Sequence, residues 1–386
     1  MLKFGFMSEA DPRPGQTYGQ RYWDLVDEVV LADKVGFDFF GTSEQHFAYG
    51  IASMSAPEVF YPYLFSLTDR IRFRHSSVLL PYKINHPLRI AERMATMDLL
   101  SHGRVEMTTA RGNTLLSLRG FDVDPDETRA QWDEAVDLIQ TAFTQDPFTF
   151  EGEYFKIPPR SLVPRPLQDP YPPMSVASTS HDSIINAAAK GLGVLTSSVE
   201  RGWDFLEEAV AVYKKAAGER EAAGEFINNS IAVYASAHCA PTVDQAITEA
   251  GPTIANHRRL AGDAFARLST LSPDYAYLKD IADVDDKLDD LDYLRHDSGS
   301  VIIGDPDDFI AHITRYQQMG ADEVWFRLDG LPHHMLMQSI ELIGRYVIPQ
   351  FQDPRQIVQD PETMRNRARA KRAEIAAKQN NTDTTT

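Results

Sequence analysis

With 386 residues, 43% of them hydrophobic, the chain is long enough to bury one large core or two ordinary ones. Its 56 acidic against 38 basic residues leave a net charge of -18, which argues against holding a nucleic-acid backbone or an anionic membrane through bulk charge. A single cysteine, Cys239, excludes an internal disulfide framework and a cysteine-rich metal site, and the lack of a fixed-period repeat argues against a solenoid or propeller.

The chain enters directly as an apolar strand over Leu2 to Met7, with no basic region ahead of a long apolar run. The expectation is therefore a soluble cytoplasmic protein without a membrane span. Tyr22, Leu25, Val26, Val29 and Ala32 then recur at three- and four-residue spacing, which predicts a helix that Gly36 stops. Phe37 to Thr42 reads as a second strand, completing the strand-helix-strand unit from which parallel sheets are built. The alternation continues with a helix over Pro57 to Thr68, a strand over Ile71 to Leu80 and a helix over Leu88 to Leu100. A fourth strand follows over Arg104 to Thr108 and a helix over Thr128 to Thr144. The proline-rich interval Ile157 to Pro173 is expected to run over the surface as an extended connection. Beyond it, strands are predicted over Pro173 to Ser178, Gly193 to Ser197, Ser230 to His238 and Glu323 to Leu328, with helices over Asp182 to Lys190, Trp203 to Ala217 and Met335 to Tyr346.

Eight strands alternating with helices predict a (β/α)₈ TIM barrel of the α/β class. An open doubly wound sheet would more usually carry a glycine-rich dinucleotide fingerprint after its first strand, and none is present. The barrel domain is expected over residues 1–353. Within it, residues 240–300 form a helical excursion before the last strand, with an acidic run from Asp280 to Asp292; its length favours a lid over a simple connector. Residues 354–386 read as a polar tail, a peripheral helix fading into disorder.

A barrel places function on the loops that follow its strands. The second strand ends in Gly41-Thr42-Ser43-Glu44-Gln45-His46-Phe47, which puts a carboxylate and an imidazole at the mouth. They serve acid-base chemistry, cofactor contact or hydrogen bonding within the loop. With no His-x-x-x-His pair and no second acidic cluster nearby, no metal is expected. Ser76 and Ser77 are small residues mid-strand, so either something flat approaches the backbone there or two serines are satisfied inside the barrel. After the fourth strand, Arg111 beside Gly112 and Asn113 either clamps an anion or pairs with a loop carboxylate. The fifth strand runs through Ala177-Ser178-Thr179-Ser180 directly into a helix; these hydroxyls and backbone N–H groups form either a phosphate seat or an N-cap.

Taken in order, Gly-Phe-Asp, Glu-Gln-His-Phe, Val-Leu-Leu-Pro, Asn-His-Pro-Leu-Arg-Ile-Ala-Glu, Leu-Ser-His-Gly-Arg and Ala-Arg-Gly resemble the bacterial luciferase-like flavin monooxygenases. The resemblance runs from Phe4 to about Phe351, closing in Glu341 to Pro349; it is weak across the excursion and absent in the tail. It implies reduced FMN bound at the C-terminal ends of the strands. Its phosphate would be held by Arg111, with Asn113 beside it, and by Ser178 with its neighbours Ala177, Thr179 and Ser180. The flavin ring would lie against a non-proline cis peptide between Ser76 and Ser77. The chemistry implied is transfer of one oxygen atom of dioxygen to a small organic substrate, in a dry pocket under a lid. The further implications are a separate flavin reductase and a homodimer. One departure matters: luciferases carry two histidines after the glutamate of this loop, the first a catalytic base, and here that place is taken by Gln45. The expected catalytic set is accordingly Glu44, Gln45 and His46, with His46 as the titrating member. The shared fold leaves two other readings, a deazaflavin-dependent oxidoreductase that transfers hydride and a flavin-binding partner subunit without activity.

Overall fold

The computed structural model describes residues 1–49, 51–112, 114–199, 201–219, 228–279, 287–288 and 290–352. In chain order its strands are β1 (Lys3–Met7), β2 (Phe39–Thr42), β3 (Arg72–Leu79), β4 (Val105–Ala110), β5 (Phe148–Glu151), β6 (Lys156–Arg160), β7 (Met174–Ala177), β8 (Gly193–Thr196), β9 (Ile231–Cys239), β10 (Val301–Gly304) and β11 (Glu323–Arg327). The parallel order β1-β2-β3-β4-β7-β8-β9 is closed by β11, which pairs with β9 through Val324↔Val233 and with β1 through Phe4↔Val324. The predicted eight-stranded barrel is what forms.

The helices obey their local signals. For α1 (Tyr18–Val35), Thr17 and Gln20 form a reciprocal capping box, and Gly36 ends it at φ 112°, a conformation that suits a residue without Cβ. Helix α2 (Pro57–Phe65) starts on a proline, as does α3 (Pro87–Ser101), where His86 accepts from Leu88 N–H. The outer layer continues with α4 (Leu115–Gly120), α5 (Thr128–Thr144), α6 (His181–Ala189) and α7 (Trp203–Glu219).

Alternation along β11 turns Glu323, Trp325 and Arg327 to one side of the strand. The Trp325 indole lies where a Cβ on Gly5 or Gly41 would sit 2.2 or 2.7 Å from it, so both strands need glycine at those positions. It stacks on Phe39 at 5.4 Å between centroids, and the Arg74 guanidinium covers both rings at 4.7 and 4.8 Å. Arg74 donates to Glu106 and Glu323, so the lower half of the barrel is a plug of aromatic rings and paired charge. Any binding volume must therefore open at the other end.

The structure adds a hairpin, a further strand with its helix and a π turn to the sequence expectation. The start of the proline-rich interval is not a free connection, because β6 pairs antiparallel with β5 as a hairpin outside the barrel; Pro158 and Pro159 concealed a strand that needs few ladder bonds. Among the described residues the excursion comprises α8 (Val243–Ser269), a 3₁₀ turn over Pro273–Leu278 and α9 (Leu291–His296), helical as expected. After it, β10 pairs with the C-terminal half of β9, and α10 (Pro306–Gln318) precedes the last strand. That helix has a legible start, since Asp305 accepts from Asp307 and Asp308 N–H with Pro306 at the first helical position. The final helix, α11 (His333–Leu342), ends in a π turn over Ile343–Val347. Most of the acidic run and the tail 354–386 lie outside the described residues. Among the described residues no helix is long and apolar enough to cross a membrane.

Candidate active site

Above the plug, the C-terminal ends of the strands surround a cavity of about 1160 Å³, roofed by α8 and the 3₁₀ turn of the excursion. That exceeds the roughly 300–1,000 Å³ of a single-ligand pocket, so a cofactor and a substrate can share it. Arg111, Ala177, Ser178 and Thr179 line one part of its wall, Ser76 and Ser77 another, and Glu44 and Gln45 a third. Residues at the C-terminal ends of four strands and on the loops after them thus meet around one volume.

The first pole is built for an anion. Gly112, at φ 86°, turns the chain after β4 and leaves the Arg111 guanidinium 4.6 Å over the Tyr275 ring. Arg111 Nη1 is buried without a hydrogen-bond partner; the nearest carboxylate oxygen, Asp274 Oδ2, stands 3.8 Å away. Arg129, from α5, brings its Nε to 3.7 Å of the same oxygen. Sequence reading does not single out Arg129, because a charged residue in the first turn of an amphipathic helix looks like any solvated one. Both expected roles of Arg111 have a structural counterpart, a long carboxylate contact and an unfilled donor. Ser178 donates to Ser180 O, and Ser180 precedes α6 without capping it, its hydroxyl paired instead with Ser183. Ser180 is absent from the cavity wall, and Asn113 lies outside the described residues.

The Ser76–Ser77 peptide bond is cis, and the β3–β4 register shifts between Ser76 and Val78. Ser77 O accepts from Glu44 N–H, and Ser76 Oγ is buried without a partner beside the cavity. The Glu44 carboxylate shares a 2.8 Å hydrogen bond with His46 Nε2 and accepts from Leu79 N–H and the Asn85 amide. Burial alone would raise its pKa, but these bonds and the nearby His75 hold the carboxyl below its ordinary range. A group lowered in this way stabilises the fold above its unfolded pKa, and that contribution is lost as pH falls through the folded value. The unfolding midpoint of Glu44→Gln should accordingly fall less steeply than the wild type's between about pH 5 and about pH 3; parallel acid limbs in urea titrations would refute the assignment.

Gln45 donates to Glu9 Oε1 at 3.1 Å and faces the cavity. His46 does not: its ring packs edge-on against Phe121 at 4.8 Å, behind the loop. The second pole brings together Glu9, Gln45, Tyr234, His257 and Arg258. Behind it, Arg327 pairs with Asp11 at 2.6 Å and approaches Glu9 at 3.6 Å, while Asp329 accepts from Ser8 Oγ and Glu9 N–H. Burial, with Asp329 and Glu9 adding to it against the pull of Arg327, pushes the Asp11 carboxyl up to about 7. Sequence reading misses these groups although the rule that finds them is the one applied elsewhere: Ser8 to Asp11 follow β1, and Leu328 to Gly330 follow β11.

Comparison with known proteins matches the family model described as luciferase-like monooxygenase over residues 2–323. The 4-hydroxyprotoasukamycin monooxygenase of Streptomyces nodosus subsp. asukaensis is 26% identical over 361 residues, covering 91% of this chain and 92% of its own. An F420-dependent glucose-6-phosphate dehydrogenase of Amycolatopsis mediterranei is 29% identical over 228 residues, 54% of this chain and 66% of its own. Two uncharacterized Sinorhizobium fredii proteins, 30% and 26% identical over 193 residues, are matched over about half their length, 55% and 54%. In fold, the oxygenating constituent of 3,6-diketocamphane monooxygenase from Pseudomonas putida, solved with FMN, superposes with a TM-score of 0.69 at 21% identity, covering 92% of this chain and 99% of that one.

Proposed function

The chain belongs to the luciferase-like monooxygenase family, and from that premise we propose that it is the oxygenase of a two-component system, using reduced FMN and dioxygen to oxygenate a small organic substrate. The observation that carries the reading is the buried Arg111 Nη1, an unfilled cationic donor on the wall of the cavity. A phosphate satisfies such a donor by a charge-assisted bond. Arg111 and Arg129 with Ser178 and Thr179 hold the phosphate, and Ser76 and Ser77 leave room for a flat ring. When bound, the reduced flavin supplies the electrons and the oxygen activation. The protein excludes water through the excursion and orients the substrate. The lack of a dinucleotide fingerprint suits a system in which a separate reductase supplies the reduced flavin. The Pseudomonas relative, itself the oxygenating constituent of its monooxygenase, supports this division of labour.

The proposed barrel unit spans residues 1–353 with the excursion as its lid, and the protein acts in the cytoplasm. Trp23, Val59 and Tyr63, 61%, 71% and 48% exposed, gather on α1 and α2 and support a homodimer through that face. The test of function is oxygen uptake with a flavin reductase, NADH and FMN, followed by mass spectrometry across a panel of ketones, phenols, amines and terpenes. Substrate-dependent product carrying one atom from ¹⁸O₂ is expected. Turnover with a reduced deazaflavin in the absence of oxygen would overturn the reading in favour of hydride transfer.

A further inference from the structure

The excursion carries a carboxylate into the anion clamp. Asp274, in the 3₁₀ turn over Pro273–Leu278, brings its Oδ2 to 3.8 Å of Arg111 Nη1 and 3.7 Å of Arg129 Nε. Among the described residues this is the carboxylate partner of both guanidiniums, and no second one stands beside it. Neither approach is a hydrogen bond, which needs about 2.7–3.2 Å, so Arg111 Nη1 stays buried and unsatisfied. Arg111 Nη2 touches the same turn at the limit of bonding distance, with Asp274 O and Tyr277 Oη both at 3.5 Å.

The backbone of the turn is pinned, whereas the Asp274 side chain is not. Tyr275 Oη donates to Gly112 O at 2.7 Å and shares a 2.9 Å hydrogen bond with Thr128 Oγ1. Tyr275 and Leu278 are also buried against Leu118, Val123, Val199 and Leu268. The Asp274 carboxylate accepts no hydrogen bond among the described residues, and its side chain is 32% exposed, so it has water to turn to.

A carboxylate that stands between two guanidiniums without bonding to either holds the place of a stronger anion. We propose that Asp274 is an internal competitor of the cofactor phosphate: its side chain swings out when the phosphate enters and returns when it leaves, which keeps FMN exchangeable between turnovers. This rests on the two-component reading and names how its phosphate seat is regulated. A phosphate monoester carries about 1.5–2 negative charges near pH 7 and three acceptor oxygens, so it offsets both guanidiniums and fills Nη1. A single carboxylate at this distance does neither. The two anions do not share the seat, because like charges a few ångströms apart in a partly buried site repel strongly. With Tyr275 and Leu278 holding the turn, the side chain alone moves and the roof stays over the cavity. Arriving FMN therefore breaks only a long ion pair, and departing FMN leaves the guanidiniums to a counter-charge already at hand. Asp274 acts through Arg111 and Arg129 and is a positioning residue.

The test uses the full chain without turnover, with FMN and riboflavin as probes. Asp274→Asn, which keeps the shape and removes the charge, should tighten FMN roughly two- to fivefold, the worth of a half-exposed ion pair that no longer has to be broken. FMN release, followed by stopped-flow dilution, should slow by a similar factor. Riboflavin, the same ring without the phosphate, should bind wild type and Asp274→Asn alike, and Asp274→Glu, which restores the charge, should return FMN to the wild-type affinity. A preference of the wild type for FMN over riboflavin that Asp274→Asn leaves unchanged overturns the proposal alone. So does an equal gain for both flavins, which would make Asp274 a structural member of the turn. Equal binding of FMN and riboflavin in both proteins overturns the phosphate seat and the proposal together.

Discussion

Arg111→Ala is expected to weaken FMN by about one to two decades while leaving riboflavin nearly unaffected. The contact at stake is a charge-assisted bond from the buried Nη1 of Arg111, worth roughly 1.5–3 kcal/mol, and a decade of affinity is about 1.4 kcal/mol. The existing neighbour does not cancel this. Asp274 Oδ2 lies 3.8 Å from Nη1 and is shared with Arg129, so in the free protein the pairing is long and the donor is unsatisfied. Arg111→Lys should recover part of the loss, because it returns the charge without the planar fork. Fluorescence titration of FMN and riboflavin against the three proteins measures this directly. If both ligands weaken equally, Arg111 acts through the packing of Tyr275 and not through the phosphate.

The largest effect on stability is expected at the barrel plug. Arg74→Met should lower unfolding free energy at neutral pH by about 3–5 kcal/mol, the cost of leaving Glu323 buried without its counter-charge, while Glu106 keeps Arg72 at 2.6 Å. Arg74 is 3% exposed and donates to Glu106 from Nε and Nη2 and to Glu323 from Nη1 and Nη2. Burial alone would raise Glu323, yet Arg74, Trp325 Nε1–H and Ser230 Oγ–H hold it below the usual carboxylate range. In the variant the balance reverses, and the folded-state pKa of Glu323 rises above the unfolded value. The deficit should then shrink as pH falls toward about 4, where both states bind the proton. Adding Glu323→Gln to Arg74→Met should restore part of the loss at neutral pH, since Glu106 keeps Arg72 and no charge is then stranded. Urea midpoints at two pH values test both statements; a loss below about 1 kcal/mol would mean that water reaches the plug.

Local periodicity and stop signals were enough to specify the architecture. Apolar spacing in α1, its Gly36 stop and the alternation of short apolar runs are properties of neighbouring residues, and eight such units have few ways to close. The position of a residue after a strand was legible for the same reason, which is why Glu44, Ser76, Arg111 and Ser178 surround one cavity. The family resemblance carried the cis Ser76–Ser77 bond, which no local pattern announces. The hairpin of β5 and β6 was hidden because prolines at a sheet edge read as loop.

Which side chain of a loop faces the cavity was decided only by tertiary structure. Within Glu44-Gln45-His46, the choice depends on Asn85 and Leu79 holding Glu44, on Glu9 receiving Gln45, and on Phe121 offering His46 an aromatic edge. Each of those partners is remote in sequence, so no window of neighbouring residues contains the answer. Arg129 and His257 were invisible for a related reason. A polar residue on a helix looks solvated until another element covers it, and here the excursion folds back over the barrel mouth to do so.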